Sequence, residues 1–221
     1  MITVHHLENS RSQRVLWLLE ELGVPYQVKR YERDPVTMQA PRALRDVHPL
    51  GKSPVITDDG AVIAETGAIV EYLVEKYGKG KLAPKAGAPD RLAWTYWLHY
   101  AEGSAMPPFL LQLVFLRMPK SAPALIRPIA AAIAKRAQAG FIDPQIKSHL
   151  AFWETTLEKS AWFAGKAFTA ADIMMSFPLE VAAARFGIAG YPKVAAFLAA
   201  IHARPAYQRA LERGGPYDII G

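Results

Sequence analysis

The chain has 221 residues, of which 51% are hydrophobic and 21% charged, a composition typical of globular proteins and unlike that of disordered chains. It contains no cysteine, which excludes disulfides, cysteine metal sites and a catalytic thiol of its own. No apolar run approaches the about 18 residues of a transmembrane helix. The first residues lack the basic and apolar segments of a signal peptide. We therefore expect a cytoplasmic protein that does not bind membranes.

The formal net charge of +6 is unevenly distributed along the chain. Residues 1–80 carry a net charge of −1, whereas residues 81–221 carry +7. The most basic segment, 117–147, is rich in alanine and proline and contains no nucleic-acid-binding motif, so we expect no nucleic-acid partner. The basic residues are interpreted as a solvated helical face that helps to attract a small acidic ligand.

The first 80 residues alternate strand and helix patterns. Strands are indicated by short β-branched runs, and the first helix by apolar residues at spacings of three and four. Gly23 ends that helix, and Pro25 follows it. The predicted elements are a strand at 2–5, a helix around 15–22, a strand at 26–31, a short helix from Pro41, a hairpin of strands 55–57 and 61–64, and a helix at 66–77.

The rest of the chain has helical patterns only. A segment rich in proline and glycine, 81–89, is interpreted as a linker between a domain at 1–80 and a helical domain at 90–221. The first predicted helix of the second domain is bent at Pro107-Pro108, where two backbone donors are missing. The predicted helices span 90–118, 122–140, 143–157, 169–186, 192–203 and 205–213.

This order of elements resembles the thioredoxin-like domain joined to a helical domain of the cytosolic glutathione S-transferase family. Four separate segments carry the resemblance, namely 9–26, 48–56, 65–69 and 168–173. The Asn-Ser-Arg-Ser run at 9–12 and the segment 97–104 look most like a fungal and bacterial branch of that family. The resemblance implies an α/β thioredoxin-like fold followed by an all-helical domain.

The residues at the start of the first helix are the predicted catalytic residues. A helix N-terminus offers free backbone donors and a partial positive charge, which stabilise a bound thiolate. From this stretch alone, Ser10 or Ser12 is more simply an N-cap, but the family resemblance implies a thiol site and makes Ser10 and Asn9 the candidates to contact the sulfur. Related enzymes often have the activating serine where this chain has Asn9, so either Asn9 or Ser10 is expected to serve.

The resemblance also assigns residues to the three parts of glutathione. The proline of Ser53-Pro54 corresponds to a cis proline whose preceding residue pairs with the cysteinyl backbone. Lys52 suits a carboxylate, although an exposed loop lysine is the simpler interpretation. Glu65 suits the ammonium group, and Thr66 suits either the γ-glutamyl carboxylate or a helix cap. The predicted glutathione-binding residues are Arg11, Lys52, Ser53, Pro54, Glu65 and Thr66.

The aromatic residues of the second domain predict either a pocket wall or a packed core. Trp94, Trp97 and Tyr100 fall at spacings of three, which favours packing. As a pocket for the electrophile we select Tyr100, Met106 and Phe109. Further along, the residues from Thr169 to Asp172 form a capping box, preceded by Phe168 for a hydrophobic staple.

The sequence thus predicts a glutathione transferase that joins the glutathione sulfur to an apolar electrophile, as in detoxification. Glutathione is a cosubstrate, and no other cofactor is implied. The six histidines do not have the spacing of a zinc site, so we expect no metal. The alternatives are glutathione-dependent reduction of peroxides or disulfides, and a non-catalytic ligand-binding or regulatory protein on the same scaffold. The family also implies a homodimer, with Tyr72, Trp94 and Trp97 as possible interface anchors.

Overall fold

The computed structural model describes residues 1–218. Residues 219–221, the last three of the predicted helical domain, lie outside the described residues. No helix in the described part is both long and apolar enough to cross a membrane.

The α/β half is built on a four-stranded mixed sheet. Its strands are β1 (Ile2–Leu7), β2 (Tyr26–Tyr31), β3 (Val55–Asp58) and β4 (Ala61–Ala64). Their order in the sheet is β2-β1-β3-β4. β1 pairs in parallel with β2 and antiparallel with β3, and β3 pairs antiparallel with β4. The β-hairpin expected from the Asp-Asp-Gly turn is confirmed.

Three helices belong to this half: α1 (Ser12–Leu22), α2 (Arg42–Arg45) and α3 (Thr66–Tyr77). Gly23 has the left-handed φ of 67° that ends α1, as predicted. The apolar spacing predicted one buried face for α1, but all residues from Ser12 to Leu19 are buried. The reason is that α1 lies between β1 and α3 on one side and helices of the second half on the other.

The second half is entirely helical in the described part of the chain. Its α-helices are α4 (Arg91–Tyr100), α5 (Met106–Ser121), α6 (Arg127–Ala137), α7 (Asp143–Lys159), α8 (Ala170–Arg185), α9 (Pro192–His202) and α10 (Pro205–Gly214). An irregular segment joins α3 to α4, and the predicted linker lies within it. The domain boundaries at 1–80 and 90–221 stay predictions.

The long helix predicted at 90–118 is interrupted before the two prolines. A π-helical turn, Ala101–Ala105, separates α4 from α5, and Pro107 and Pro108 lie in the first turn of α5. Proline has no backbone N–H, so the carbonyls of Gly103 and Ser104 lose the donors of a regular α-helix. The helical irregularity therefore falls on the residues that would have bonded to the prolines.

The capping box at the start of α8 is confirmed. The backbone N–H of Thr169 donates to Asp172 Oδ2 at 2.8 Å, and the N–H of Ala171 donates to Thr169 Oγ1 at 3.3 Å. Asp172 Oδ1 also accepts the backbone N–H of Phe163, again at 2.8 Å. Asp172 is fully buried, so its carboxylate fixes the start of α8 against the preceding loop.

Side chains of α1 connect the two halves. The rings of Trp17 and Tyr207 meet edge to face, with their centroids 5.1 Å apart. Glu21 accepts two hydrogen bonds from the guanidinium of Arg204, at 2.5 and 2.9 Å. The buried side chain of Arg14 donates to the carbonyl of Met174 in α8 at 2.6 Å. These contacts hold the sheet half and the helical half in one arrangement.

Candidate active site

A cavity of about 670 Å³ opens between the two halves of the molecule. It lies at the N-termini of α1 and α3 and at the segment before β3, opposite the π-helical turn, α5 and α8. All of the predicted catalytic and glutathione-binding residues line it, namely Asn9, Ser10, Arg11, Lys52, Ser53, Pro54, Glu65 and Thr66. The fold therefore brings together residues that are up to 57 positions apart in the chain.

The residues predicted for the electrophile pocket lie elsewhere. Tyr100, Met106 and Phe109 are buried in the helical core and are not among the residues that line this cavity. The Tyr100 hydroxyl accepts from Trp153 Nε1 at 3.1 Å, which is a core contact. Leu110 and Phe177 supply the apolar wall from the helical half instead. Leu110 follows Phe109 by one residue, or about 100° around the helix, and so reaches the cavity side.

Of the two candidates for the thiol contact, Ser10 has an inward-facing hydroxyl. Ser10 Oγ donates to the carbonyl of Leu7 at 2.7 Å and lies 2.8 Å from Ser12 Oγ. It also accepts the backbone N–H of Ser12 at 3.3 Å. The hydroxyl thus joins the loop to the first residue of α1, but the N-cap position belongs to Arg11, whose side chain forms no cap hydrogen bond, so neither serine is the N-cap that the sequence left open.

Asn9 lies at the cavity with a free amide donor. Its φ of 47° is in the left-handed region, which asparagine adopts more readily than most residues. Asn9 Oδ1 accepts the backbone N–H of Asp218 at 2.7 Å. No hydrogen bond to Asn9 Nδ2 occurs within residues 1–218, so both hydrogens of that nitrogen are available for a ligand.

The peptide bond between Ser53 and Pro54 is cis, as the resemblance implied. Ser53 Oγ donates to the carbonyl of His5 at 3.0 Å and accepts the N–H of Leu7 at 3.3 Å, which fixes this turn against β1. Within the described residues, the backbone N–H and carbonyl of Ser53 have no hydrogen-bond partner. They are therefore free to pair with an extended backbone placed beside them.

The start of α3 differs from the predicted cap. Thr66 is the first helical residue, and Glu65 occupies the N-cap position with a φ of 71° and no side-chain hydrogen bond. Of the two roles left open for Thr66, the helix cap is therefore excluded. The first intrahelical bond runs from the N–H of Ile69 to the carbonyl of Glu65. Within the described chain, the three preceding N–H groups have no partner, so the helix start can bind an anion beside the Thr66 hydroxyl.

An ion-pair network of one buried and two half-buried side chains closes the far side of the cavity. Arg11 Nε donates to Glu102 Oε2 at 2.9 Å, and Arg14 forms a second ion pair with the same carboxylate. Burial alone would raise the pKa of Glu102, but the two guanidinium groups outweigh it and lower that pKa. Both guanidiniums lie over the ring of Phe177, at 5.0 and 5.3 Å from its centroid.

Of this network only Arg11 was predicted as a site residue; Arg14 and Glu102 were not. Arg14 lies within the helical pattern of α1, and Glu102 lies 88 residues further along the chain. Glu102 does fall in the segment 97–104 that carries the branch resemblance, which is the one signal that could have selected it. No cluster of three or more potential metal ligands occurs in residues 1–218.

Comparison with known proteins assigns this site to a family. Residues 10–76 match the model of the glutathione S-transferase N-terminal domain, and residues 122–213 match that of the C-terminal domain. Glutathione S-transferase 3 of Schizosaccharomyces pombe is 34% identical over 214 residues, which cover 96% of this chain and 88% of that protein. The chain belongs to the glutathione S-transferase family.

Solved glutathione S-transferases share the fold. The enzyme from Actinobacillus pleuropneumoniae is 32% identical, with a TM-score of 0.79 over 99% of this chain and 95% of that one. A sphingomonad glutathione S-transferase, solved in complex with glutathione, is 26% identical, with a TM-score of 0.75 over 96% of this chain and 98% of that one. The predicted fold class is confirmed, and the chain is an enzyme with glutathione transferase function.

Proposed function

We propose that this glutathione S-transferase ionises the glutathione thiol beside Asn9 and joins the sulfur to an electrophile that lies against Leu110 and Phe177. The observation that carries the proposal is that one cavity gathers all eight predicted catalytic and glutathione-binding residues. The apolar wall from the helical half faces them.

The hydrogen-bonding and charged groups that line the cavity complement the carboxylates, the ammonium and the backbone of glutathione. The unpaired N–H groups at the start of α3, with the Thr66 hydroxyl, suit the γ-glutamyl carboxylate. Glu65 suits the neighbouring ammonium, and the unpaired backbone of Ser53 suits the cysteinyl unit. Lys52 suits the remaining carboxylate. Arg11 is held by Glu102 and borders the sulfur end of the cavity.

In this arrangement the thiol proton leaves to solvent, and the thiolate is stabilised by the Asn9 amide and by the start of α1. The sulfur then attacks the electrophilic carbon. A C–S bond forms, and the leaving group departs with the electron pair of its bond. Proximity of the two bound substrates supplies much of the acceleration.

The proposal also includes the branch of the family, the role in detoxification, the cytoplasmic location and the homodimer. The Asn-Ser-Arg-Ser run lines the cavity, and fungal and bacterial relatives support placing the chain in that branch. A role in detoxification follows from conjugation of apolar electrophiles, and a cytoplasmic location fits an enzyme that uses the cytosolic glutathione pool. The homodimer is proposed from the family.

Glutathione binding is tested by titration calorimetry. Thr66→Val should weaken the affinity about five- to tenfold, because it removes one hydrogen bond to a charged group. Glu65→Ala should weaken it similarly by leaving the ammonium unpaired. Thr155→Val is the matched control, since that hydroxyl bonds only within α7, at 2.9 Å to the carbonyl of Ala151.

Unchanged affinity in both cavity variants, or no binding by the unmodified protein at millimolar glutathione, would contradict the assignment. A turnover screen with chloronitroaromatic compounds, cumene hydroperoxide and a small disulfide then separates the reactions. Preference for the peroxide or the disulfide would favour glutathione-dependent reduction over conjugation.

A further inference from the structure

The cavity carries more positive charge than glutathione requires. Its lining includes the basic side chains Arg11, Arg33, Arg45 and Lys52, against the carboxylates of Glu65 and Glu102. Glu102 is already paired with Arg11 and Arg14. Glutathione has two carboxylates and one ammonium group, which the start of α3, Lys52 and Glu65 satisfy in the function proposed above. Arg33 and Arg45 then remain without a carboxylate partner among residues 1–218.

Arg33 is the less exposed of these two and is incompletely satisfied. Its guanidinium donates to the carbonyl of Met38 at 3.1 Å, and it forms no ion pair in the described chain. The nearby carboxylate of Glu8 accepts the backbone N–H of Arg33, at 2.7 Å, rather than the guanidinium. Burial lowers the pKa of Arg33, Glu8 partly offsets this, and the positive charges of Arg117 and Arg11 lower it further.

A second guanidinium, that of Arg117, lies on the face of α5 that carries the cavity-lining Leu110, two helical turns beyond it. Arg117 is exposed on α5 and has no ion-pair partner within residues 1–218. Leu110, Val114 and Arg117 are spaced by four and three residues, so they share one face of α5. Leu110 and Val114 are 59% and 52% exposed. The apolar wall of the cavity therefore continues along α5 and ends at a positive charge.

We propose that the electrophile of this enzyme carries a carboxylate, bound between Arg33 and Arg117, while its apolar body lies along Leu110 and Phe177. Neither guanidinium has an ion-pair partner within residues 1–218, and a carboxylate bound to both would neutralise two positive charges at this end of the apolar wall. The inference rests on the proposed function, because it concerns the second substrate of the same cavity.

The test compares two chloronitroaromatic probes that differ in charge, 4-chloro-3-nitrobenzoate and 4-chloro-3-nitrobenzamide. In both, the thiolate attacks the carbon that bears chlorine, the C–S bond forms, chloride leaves with the C–Cl electron pair, and the thiol proton goes to solvent. Each kcat/KM is divided by the rate constant of the uncatalysed reaction. The unmodified enzyme is expected to favour the benzoate about tenfold.

Arg33→Gln and Arg117→Gln should each lower kcat/KM for the benzoate about five- to tenfold and change that for the benzamide less than twofold. The benzoate preference should also decrease as salt is raised. Arg136→Gln is the matched control, because it removes one positive charge from α6 and should leave the preference unchanged.

Three results would overturn the inference. One is an unmodified enzyme that turns over the benzamide as well as the benzoate, which would leave the proposed function standing. Another is an equal loss for both probes in the two arginine variants. The third is a rise in KM for glutathione alone, which would place Arg33 in the glutathione site. Failure to turn over either probe would contradict both the inference and the proposed conjugation.

Discussion

Two polar side chains just before α1 differ in their hydrogen bonds. The Ser10 hydroxyl is committed to the carbonyl of Leu7 and to the neighbouring serine. Asn9 has its oxygen bound to the backbone of Asp218, and its amide nitrogen, at the cavity, has no hydrogen-bond partner within residues 1–218. The donor that stabilises the thiolate should therefore belong to Asn9, and the role of Ser10 should be structural.

We expect Asn9→Gly to raise the pKa of bound glutathione by about one unit, equivalent to about 1.4 kcal/mol. Glycine is chosen because residue 9 has a positive φ, which alanine tolerates poorly. Removal of the donor disfavours the thiolate, so the acidic limb of kcat/KM should shift to higher pH. The ultraviolet absorbance of the bound thiolate, followed against pH, measures the same shift directly.

Ser10→Ala is the companion variant, and it should leave the acidic limb in place while lowering the free energy of unfolding by about 1 kcal/mol. A shift of the limb in Ser10→Ala but not in Asn9→Gly would reverse the assignment. If neither variant moved it, the backbone donors at the start of α1 would be sufficient.

The sequence predicted individual site residues only where they lie in a short motif that resembles the family. Lys52, Ser53 and Thr66 lie in short segments that resemble the family, and the cavity contains them all. Phe109 was selected from its residue type, but the helical phase that turns Leu110 to the cavity depends on the packing of α5. Arg33 gave no sequence signal, because its significance arises from a neighbour on a distant helix.

At the scale of elements, a buried carboxylate joins the β3–β4 hairpin to α3. Asp58, at the end of β3, accepts hydrogen bonds through Oδ2 from Tyr72 at 2.7 Å, Lys76 at 2.8 Å and Tyr77 at 2.5 Å. Burial alone would raise the pKa of Asp58, but these three donors outweigh it and lower the pKa to about 2. The side chain of Asp58 thus joins the hairpin to the helix that starts at the proposed glutathione site.

Asp58→Asn should lower the free energy of unfolding at pH 7 by about 2 kcal/mol, because it removes the ionised acceptor from three donors. The pKa of Asp58 is lower in the folded state, so its contribution is complete above about pH 4 and is lost as the pH falls through 2. Urea unfolding of both proteins between pH 7 and pH 2 should show the difference shrinking over that window.

The neighbouring carboxylate provides the control. Asp59 is two-thirds exposed, and Asp59→Asn should change the unfolding free energy by less than about 0.5 kcal/mol at every pH. A difference between Asp58→Asn and the unmodified protein that stayed constant down to pH 2 would contradict the ionised role of Asp58.

The elements themselves were predicted well where the pattern is local. The strands, the hairpin and the capping box of α8 follow from residue types and short spacings, and all are present. The π-helical turn was not predicted, since proline identifies a missing donor but not how the chain accommodates it. The second buried face of α1 was missed because it is set by helices that follow far along the chain.

At the scale of the whole molecule, the two halves differ in net charge, which bears on how two copies could pair. The structure places Trp94 and Trp97 in the core of the chain, and it bonds the Tyr72 hydroxyl to Asp58, so these residues are poor interface anchors. Val62 in β4 and Leu92 in α4 are 49% and 80% exposed and offer apolar contacts instead. A two-fold arrangement would bring the acidic half of one subunit to the basic half of another.

We expect light scattering at micromolar concentration to give twice the chain mass of 24.4 kDa. Val62→Glu should shift the mass towards the monomer, because it places a charge in an apolar contact. Leu125→Glu is the control: it is as exposed as Leu92 but lies beyond the far end of α5, roughly 45 Å of helix from the start of α4. A mass of one chain at all concentrations would contradict the dimer.

Because α1 is buried on both faces, it belongs as much to the helical half as to the sheet from which it emerges. Recombination between genes of this family can exchange one half for that of a relative, but such an exchange separates Arg14 from Glu102 and Glu21 from Arg204. A chimera would therefore function only if the donated half already carried suitable partners. The two halves of this enzyme should therefore be inherited together. Substitutions in the helical half that remove a partner of α1 should be compensated by substitutions in α1 rather than in the linker.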